Sequence, residues 1–212
     1  MIAWGELRRT TPIGRRFGFD RGHPVDRRYI EEFLERHRDD VRGRVLEIGD
    51  RGYTRRFGGD RVTRSDVYDR PGNDGATLTG DLGGDAALPD GAFDCMIVTQ
   101  TLLFVFELRR AMRNLHAALA PGGVLLVTVP GISQVVREDM DREGDFWRFT
   151  TRSLRDLAAG CFDAGRIEVE ARGNVLACVA FLHGLAQEDL HADELAVDDP
   201  DFQLIVTLRA VA

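Results

Sequence analysis

The stretch RVLEIGDRGYT, residues 44–54, decides the fold. Residues 44–48 read as a strand buried on both faces of a parallel sheet, and the chain turns at Gly49 directly after it. A dinucleotide-binding turn would continue as G-x-G-x-x-G. Here the order is Gly49, Asp50, Arg51, Gly52, with Tyr53 next. The first question is therefore what kind of ligand such a turn would serve.

Outward from this stretch, apolar runs rich in β-branched residues recur at 61–67, 76–81, 93–100 and 123–130, with further strands expected at 166–171 and 202–212. Between the fourth and fifth runs, Leu108, Met112, Leu115 and Leu119 fall at helical spacing before a Pro-Gly-Gly stop. Strand, helix, strand is a parallel crossover. A further helix is expected from residue 151, capped by Thr150. Ten of the 23 glycines lie between Gly49 and Gly91, so the early crossovers hold little helix. One sheet face is thus short of cover. The segment 24–38, with Val25, Tyr29, Ile30, Phe33 and Leu34 on one stripe, is expected to supply it.

At 212 residues the chain suits one α/β domain, 1–212, with residues 1–40 as an N-terminal helical lid and 172–202 as an insertion between the last two strands. A net charge of −7 argues against a surface built for nucleic acid. All 28 basic residues are arginine, from which nothing functional follows. Cys95, Cys161 and Cys178 are an odd, widely spaced set that reads as small buried residues in a reducing compartment, with no metal-ligand spacing. No apolar run reaches ~18 residues, so a cytoplasmic protein off the membrane is expected.

Open parallel sheets bind ligands beyond the carboxyl ends of their strands. There the sequence places Glu47 and Gly49 after the first strand, Asp66 after the second, Asp81 after the third and Gln100 after the fourth. An acidic residue about 20 positions past the glycine turn suits a ribose diol, and Asp66 lies 19 beyond Glu47 (66 minus 47). The carboxylate of Asp81 could accept from an adenine amine. A cofactor without phosphates fits better than a nicotinamide dinucleotide, since barely a helix follows the turn to hold a pyrophosphate.

The segments VLEIGD (45–50), RSDV (64–67), TGDL (79–82), LPDGAFDCMIVTQTL (88–102) and LRRAMRNLHAALAPGGVLLVTVPG (108–131) together resemble the class I S-adenosylmethionine-dependent methyltransferases over roughly residues 42–165. The flanks FGFDRGHPVDRRYI and GDFWRFT are similar to methyltransferase-like proteins found in bacteria alongside glycosyltransferases. The resemblance implies a Rossmann-like seven-stranded sheet with an antiparallel last strand. It implies S-adenosylmethionine as cofactor, with Glu47 and Gly49 near the methionine end, Asp66 on the ribose, Asp81 and Leu82 at the adenine, and Gln100 beneath; Asp50 and Arg51 in the same turn are further candidates for a cofactor contact. It also marks a departure: the family's loop runs acidic-x-Gly-x-Gly-x-Gly, whereas Arg51 and Tyr53 stand at the second and third glycine positions. Arg51 is either a ligand for the methionine carboxylate or a plug.

Methyl transfer needs an aligned acceptor, and a base where a hydroxyl must lose its proton. The candidates are His23, in a loop, Asp145, and His183, whose apolar helical setting reads more as that of a core or interface histidine. Trp147 and Arg148, after the fifth strand, and Tyr29 from the N-terminal helix are candidates for the acceptor side, while Phe146 and Phe149 would anchor the loop. The function expected is methyl transfer to a small molecule or glycan at oxygen, by a monomer or homodimer. The rival is a protein of the same fold whose altered loop has lost or repurposed the cofactor site.

Overall fold

The computed structural model describes residues 5–85, 88–142 and 144–212. Seven strands form one sheet: β1 (Gly43–Ile48), β2 (Val62–Asp69), β3 (Leu78–Thr79), β4 (Phe93–Thr99), β5 (Leu119–Pro130), β6 (Ile167–Arg172) and β7 (Ile205–Val211). Their order across the sheet is β3-β2-β1-β4-β5-β7-β6. All neighbours are parallel except β7, which runs antiparallel to β5 and β6. The order reverses between β1 and β4, which fixes the crevice where such sheets take a ligand.

Helices α2 (Leu108–Ala118) and α4 (Thr151–Ala158) cover one face. The α2 stripe of Met112 and Leu115 packs with Met96, Leu125 and Val127. Thr150 caps α4 as expected, its Oγ1 accepting from the Ser153 N–H at 3.1 Å. The helix α2 ends at Ala118, so Leu119 is lost from the expected stripe and instead opens β5 opposite Phe93. A short α3 (Arg137–Met140) lies in the loop after β5.

The other face is covered by helices from outside the stretch that runs from β1 to β5. Helix α1 (Val25–Arg36) brings Val25, Ile30, Phe33 and Leu34 onto Val45, Ile97 and Leu126. The segment between β6 and β7 adds α5 (Val175–Leu182) and α6 (Ala192–Ala196), with Phe181 and Leu195 in the same cluster. The crossover from β1 to β2 holds only a π-helical turn, Thr54–Gly58, and a turn of 3₁₀ helix. The missing cover is thus supplied from both ends of the chain. Among the described residues no helix is long and apolar enough to cross a membrane.

Candidate active site

The turn after β1 is held by its own acid. Glu47 is buried, and its carboxylate accepts from the Tyr53 N–H at 3.0 Å and the Thr54 N–H at 2.7 Å. Burial pushes its pKa up to about 7, against the pull of those two N–H groups. Gly49 takes φ +86°, and a Cβ there would meet nothing within 4 Å, so the backbone faces open space. Asp50 accepts from the Gly52 N–H at 2.6 Å. The two residues at the expected glycine positions both find partners within the chain, and neither comes within 4 Å of a Cβ built on Gly49. Arg51 donates to the Gly75 carbonyl at 3.4 Å, bridging to the loop after β2. Tyr53 stacks on Phe57, with ring centroids 5.9 Å apart, and accepts from Arg27 Nη1 at 3.1 Å.

The end of β2 differs from the sequence expectation. The strand runs three residues past Asp66, because Ile48 pairs with Tyr68 and Asp69 with Thr79. Asp66 sits within the strand, buried, and accepts from Arg44 Nε at 2.7 Å, Arg64 Nη2 at 3.2 Å and Thr77 Oγ1 at 3.1 Å. Burial opposes its ionisation, yet those donors prevail and hold its pKa below the usual carboxylate range. The carboxylate at the strand end is Asp69. It is tied to the first turn by Asn73, whose Nδ2 lies 2.7 Å from both Asp69 Oδ2 and the Gly49 carbonyl. The sequence signal for it was the same spacing, counted three residues further. Beyond β3, Asp81 is exposed and accepts from the Gly83 N–H at 2.9 Å, and Leu82 is buried in the core.

Gln100, at the end of β4, is one of two described non-glycine residues with positive φ, at +49°. Its Nε2 is buried with no hydrogen-bond partner. A side chain in strained backbone with an unpaired amide is a combination found where ligands bind. Gln100 also lines a cavity of about 920 Å³ beyond the ends of β4 and β5. Leu103, Phe104, Phe181 and Ile205 form apolar wall, and the segment 9–19 drapes across it.

His183 lines this cavity, its Nδ1 buried without a partner, while its carbonyl accepts from the N–H groups of Ile13 and Gly14. His23 does not: it faces Glu31 at 3.2 Å, in a separate surface cleft beside Arg56 and Gln187. The Asp145 side chain is buried, and it accepts from Arg148 Nη1 at 2.5 Å and from the Val136 N–H at 2.7 Å. Burial works against its ionisation, but Arg148 and the Val136 N–H outweigh it and lower its pKa. Arg148 also donates to the carbonyls of Gln134 and Trp147. The pair therefore clamps the loop after β5 instead of presenting a base and a cation. Trp147 donates to the Val105 carbonyl at 3.0 Å and stacks on Phe106, so it is a loop anchor. Tyr29 is wholly buried under Arg172, donates to the Leu195 carbonyl at 3.0 Å, and has its pKa pushed up to about 12 by burial. It belongs to the core. Sequence reasoning missed Asp26 and Arg27, adjacent residues that both line the cavity. Helical spacing put Arg27 on the polar face of α1 and gave no signal for it.

With this geometry the comparisons agree on the fold. Residues 61–127 match the family model described as a methyltransferase domain. No curated protein matches the chain. Among solved structures, a SAM dependent methyltransferase from Archaeoglobus fulgidus superposes with a TM-score of 0.56 at 11% identity, covering 88% of this chain and 94% of that one. An S-adenosylmethionine dependent methyltransferase from Mesorhizobium loti gives 0.55 at 20% identity over 92% of this chain and 100% of its own. The phosphoethanolamine N-methyltransferase 2 of Haemonchus contortus, in complex with S-adenosyl-L-methionine, gives 0.55 at 14% identity over 87% and 52%. The fold is that of the class I S-adenosylmethionine-dependent methyltransferases, whose cofactor is S-adenosylmethionine.

Proposed function

We propose that this chain, built on the class I methyltransferase fold, holds S-adenosylmethionine over the carboxyl ends of β1, β2 and β4 and passes its methyl group to a hydroxyl oxygen of a small-molecule or glycan acceptor in the cavity beyond Gln100. The observation that carries this reading is Gln100 itself. It stands at the reversal of strand order, next to the open space over Gly49, and its strained, unpaired amide forms part of the cavity wall.

The residues present fit the cofactor. Backbone at Gly49 is approachable, and neither Arg51 nor Tyr53 fills the space over it. Asp69 takes the ribose diol, held in place by Asn73. Asp81 and Leu82 flank the adenine, Asp81 at the surface and Leu82 from the core. Bound S-adenosylmethionine supplies an already activated methyl group on a sulfonium. The chain's own work is then alignment and proton removal. The Arg148–Asp145 clamp fixes the cavity-lining segment that includes Gln134 and Val136. His183, with its unpaired Nδ1 on the cavity wall, is the proton acceptor for the hydroxyl.

Calorimetry with S-adenosylhomocysteine tests the cofactor site before any acceptor is known. Wild type should bind. Asp69→Ala should weaken binding by ~1.5–3 kcal/mol, the range for hydrogen bonds to a charged group. Asp66→Ala should leave affinity unchanged and instead lower stability, because it strands Arg44. Wild type failing to bind ends the reading, and the reverse pattern in the two mutants returns the ribose contact to Asp66.

A further inference from the structure

The acceptor cavity has a charge opposite to that of the chain. The protein carries a net −7, yet the cavity wall includes five arginines and a single carboxyl, that of Asp26. Arg15, Arg16 and Arg137 stand at its exposed rim. Arg27 is half-buried deeper along α1. Among the described residues Arg27 has no carboxylate within ion-pair distance; its guanidinium has only the Tyr53 hydroxyl at 3.1 Å and the Phe19 ring at 5.9 Å. A partly desolvated guanidinium that bonds no carboxylate keeps a donor fork open for a carboxylate or phosphate. Burial works against its charge, but the neighbouring Asp26 and the Tyr53 hydroxyl outweigh it.

The rest of the cavity is apolar. Leu103, Phe104, Phe181 and Ile205 line it, and so do Phe19, Val135 and Leu182, three of the ten large apolar residues exposed among the described residues. Exposed apolar residues gathered around one cavity mark a ligand surface. Its volume of about 920 Å³ is that of a small-molecule site.

We infer that the acceptor is an amphipathic anion: an apolar or aromatic body lying against Phe104 and Phe181, with a carboxylate or phosphate held by Arg27. This rests on the methyl-transfer reading and narrows it. It also gives the departed loop a purpose. Tyr53, at the position where the family has glycine, is a positioning residue: Glu47 fixes its backbone, and its hydroxyl aims Arg27 at the cavity.

The test is isothermal titration of the full chain with 4-hydroxycinnamate, 4-hydroxycinnamamide and 4-hydroxyphenyl phosphate, in the presence of S-adenosylhomocysteine. At least one of the two acids should bind 10-fold or more tighter than the amide, and the preference should shrink as salt rises. Arg27→Gln should abolish the preference, and Tyr53→Phe should reduce it severalfold, both with unchanged S-adenosylhomocysteine affinity. Arg110→Gln, on the far surface of α2 beside Asp85, should change nothing and controls for net charge. Equal binding of acids and amide, or no binding of any, overturns the inference. So does Arg27→Gln weakening S-adenosylhomocysteine while leaving acid binding intact, which makes Arg27 a contact for the cofactor's own carboxylate. Acid preference in a wild type that does not bind S-adenosylhomocysteine would sink methyl transfer and leave the ligand class standing.

Discussion

The two halves of the crevice differ in how they answer their carboxylates and main-chain groups. At the β1–β2 end those of the turn are answered from within the chain, and the unpartnered buried groups are the hydroxyls of Thr54, Ser65 and Tyr68 and Arg61 Nε. Glu47 holds two N–H groups, Asn73 ties Asp69 to Gly49, and Arg51 reaches Gly75. At the β4–β5 end, Gln100 Nε2, His183 Nδ1 and one oxygen of Asp26 are buried without partners. A satisfied network is rigid, and unpaired buried groups are held at a cost that a ligand can relieve. The difference teaches that the first half is shaped in advance to receive a fixed molecule, while the second leaves its chemistry open to the acceptor.

The largest expected effect lies in the clamp that borders the open half. Arg148→Met leaves Asp145 as a buried, unpaired carboxylate and should cost about 3–5 kcal/mol in chemical denaturation. A loss under ~1 kcal/mol would mean the loop after β5 stands without it. Next comes the knot of the first half. Glu47→Leu strands the Tyr53 and Thr54 N–H groups and should cost about 2–3 kcal/mol.

Glu47 also carries a pH signature. Its folded pKa, about 7, is raised above the ordinary 4.5, so its contribution is fullest below pH 4.5 and declines as pH rises through 7. The change is ~3 kcal/mol at 1.36 kcal/mol per unit. Asp66 and Asp145, with lowered pKa values, act in the opposite sense and at lower pH, their stabilisation lost as pH falls through their folded values. Glu47→Gln should therefore flatten the stability profile between pH 4.5 and 7 alone. An unaltered profile would place the titrating proton elsewhere.

A smaller effect distinguishes strain from function. Gln100→Gly relieves a positive φ and should raise stability by ~1 kcal/mol, while lowering affinity for S-adenosylhomocysteine or acceptor. Greater stability with undiminished binding would show that the strain serves no ligand. The smallest effect belongs to Arg51→Gly, which removes one long, exposed bond to Gly75 and should weaken S-adenosylhomocysteine binding by no more than ~0.5–1.5 kcal/mol. A gain in binding would reveal Arg51 as a plug.

The sequence by itself determined the sheet. The runs at 44–48, 93–100 and 123–130 are apolar enough to be buried on both faces, and the glycine-rich crossovers between Gly49 and Gly91 are too short to cover the sheet, so α1 had to. Those are local facts of composition and spacing. What only the tertiary structure decided was which side chains meet. Asp66 and Asp69 both lie near the end of one apolar run, and pairing with Ile48 and Thr79 chooses between them by setting where β2 stops. Asp145 and Arg148 look like a base and a cation until they are found bonded to each other. In sequence His183 reads more as a core or interface histidine and His23 as the open candidate, yet the fold carries His183 to the cavity and His23 to Glu31. Arg27 and Tyr53, 26 residues apart, meet because α1 packs beside the turn after β1. Periodicity reports which face of an element is buried, but a site is made of contacts between elements distant in the chain, and those are fixed only when the elements pack.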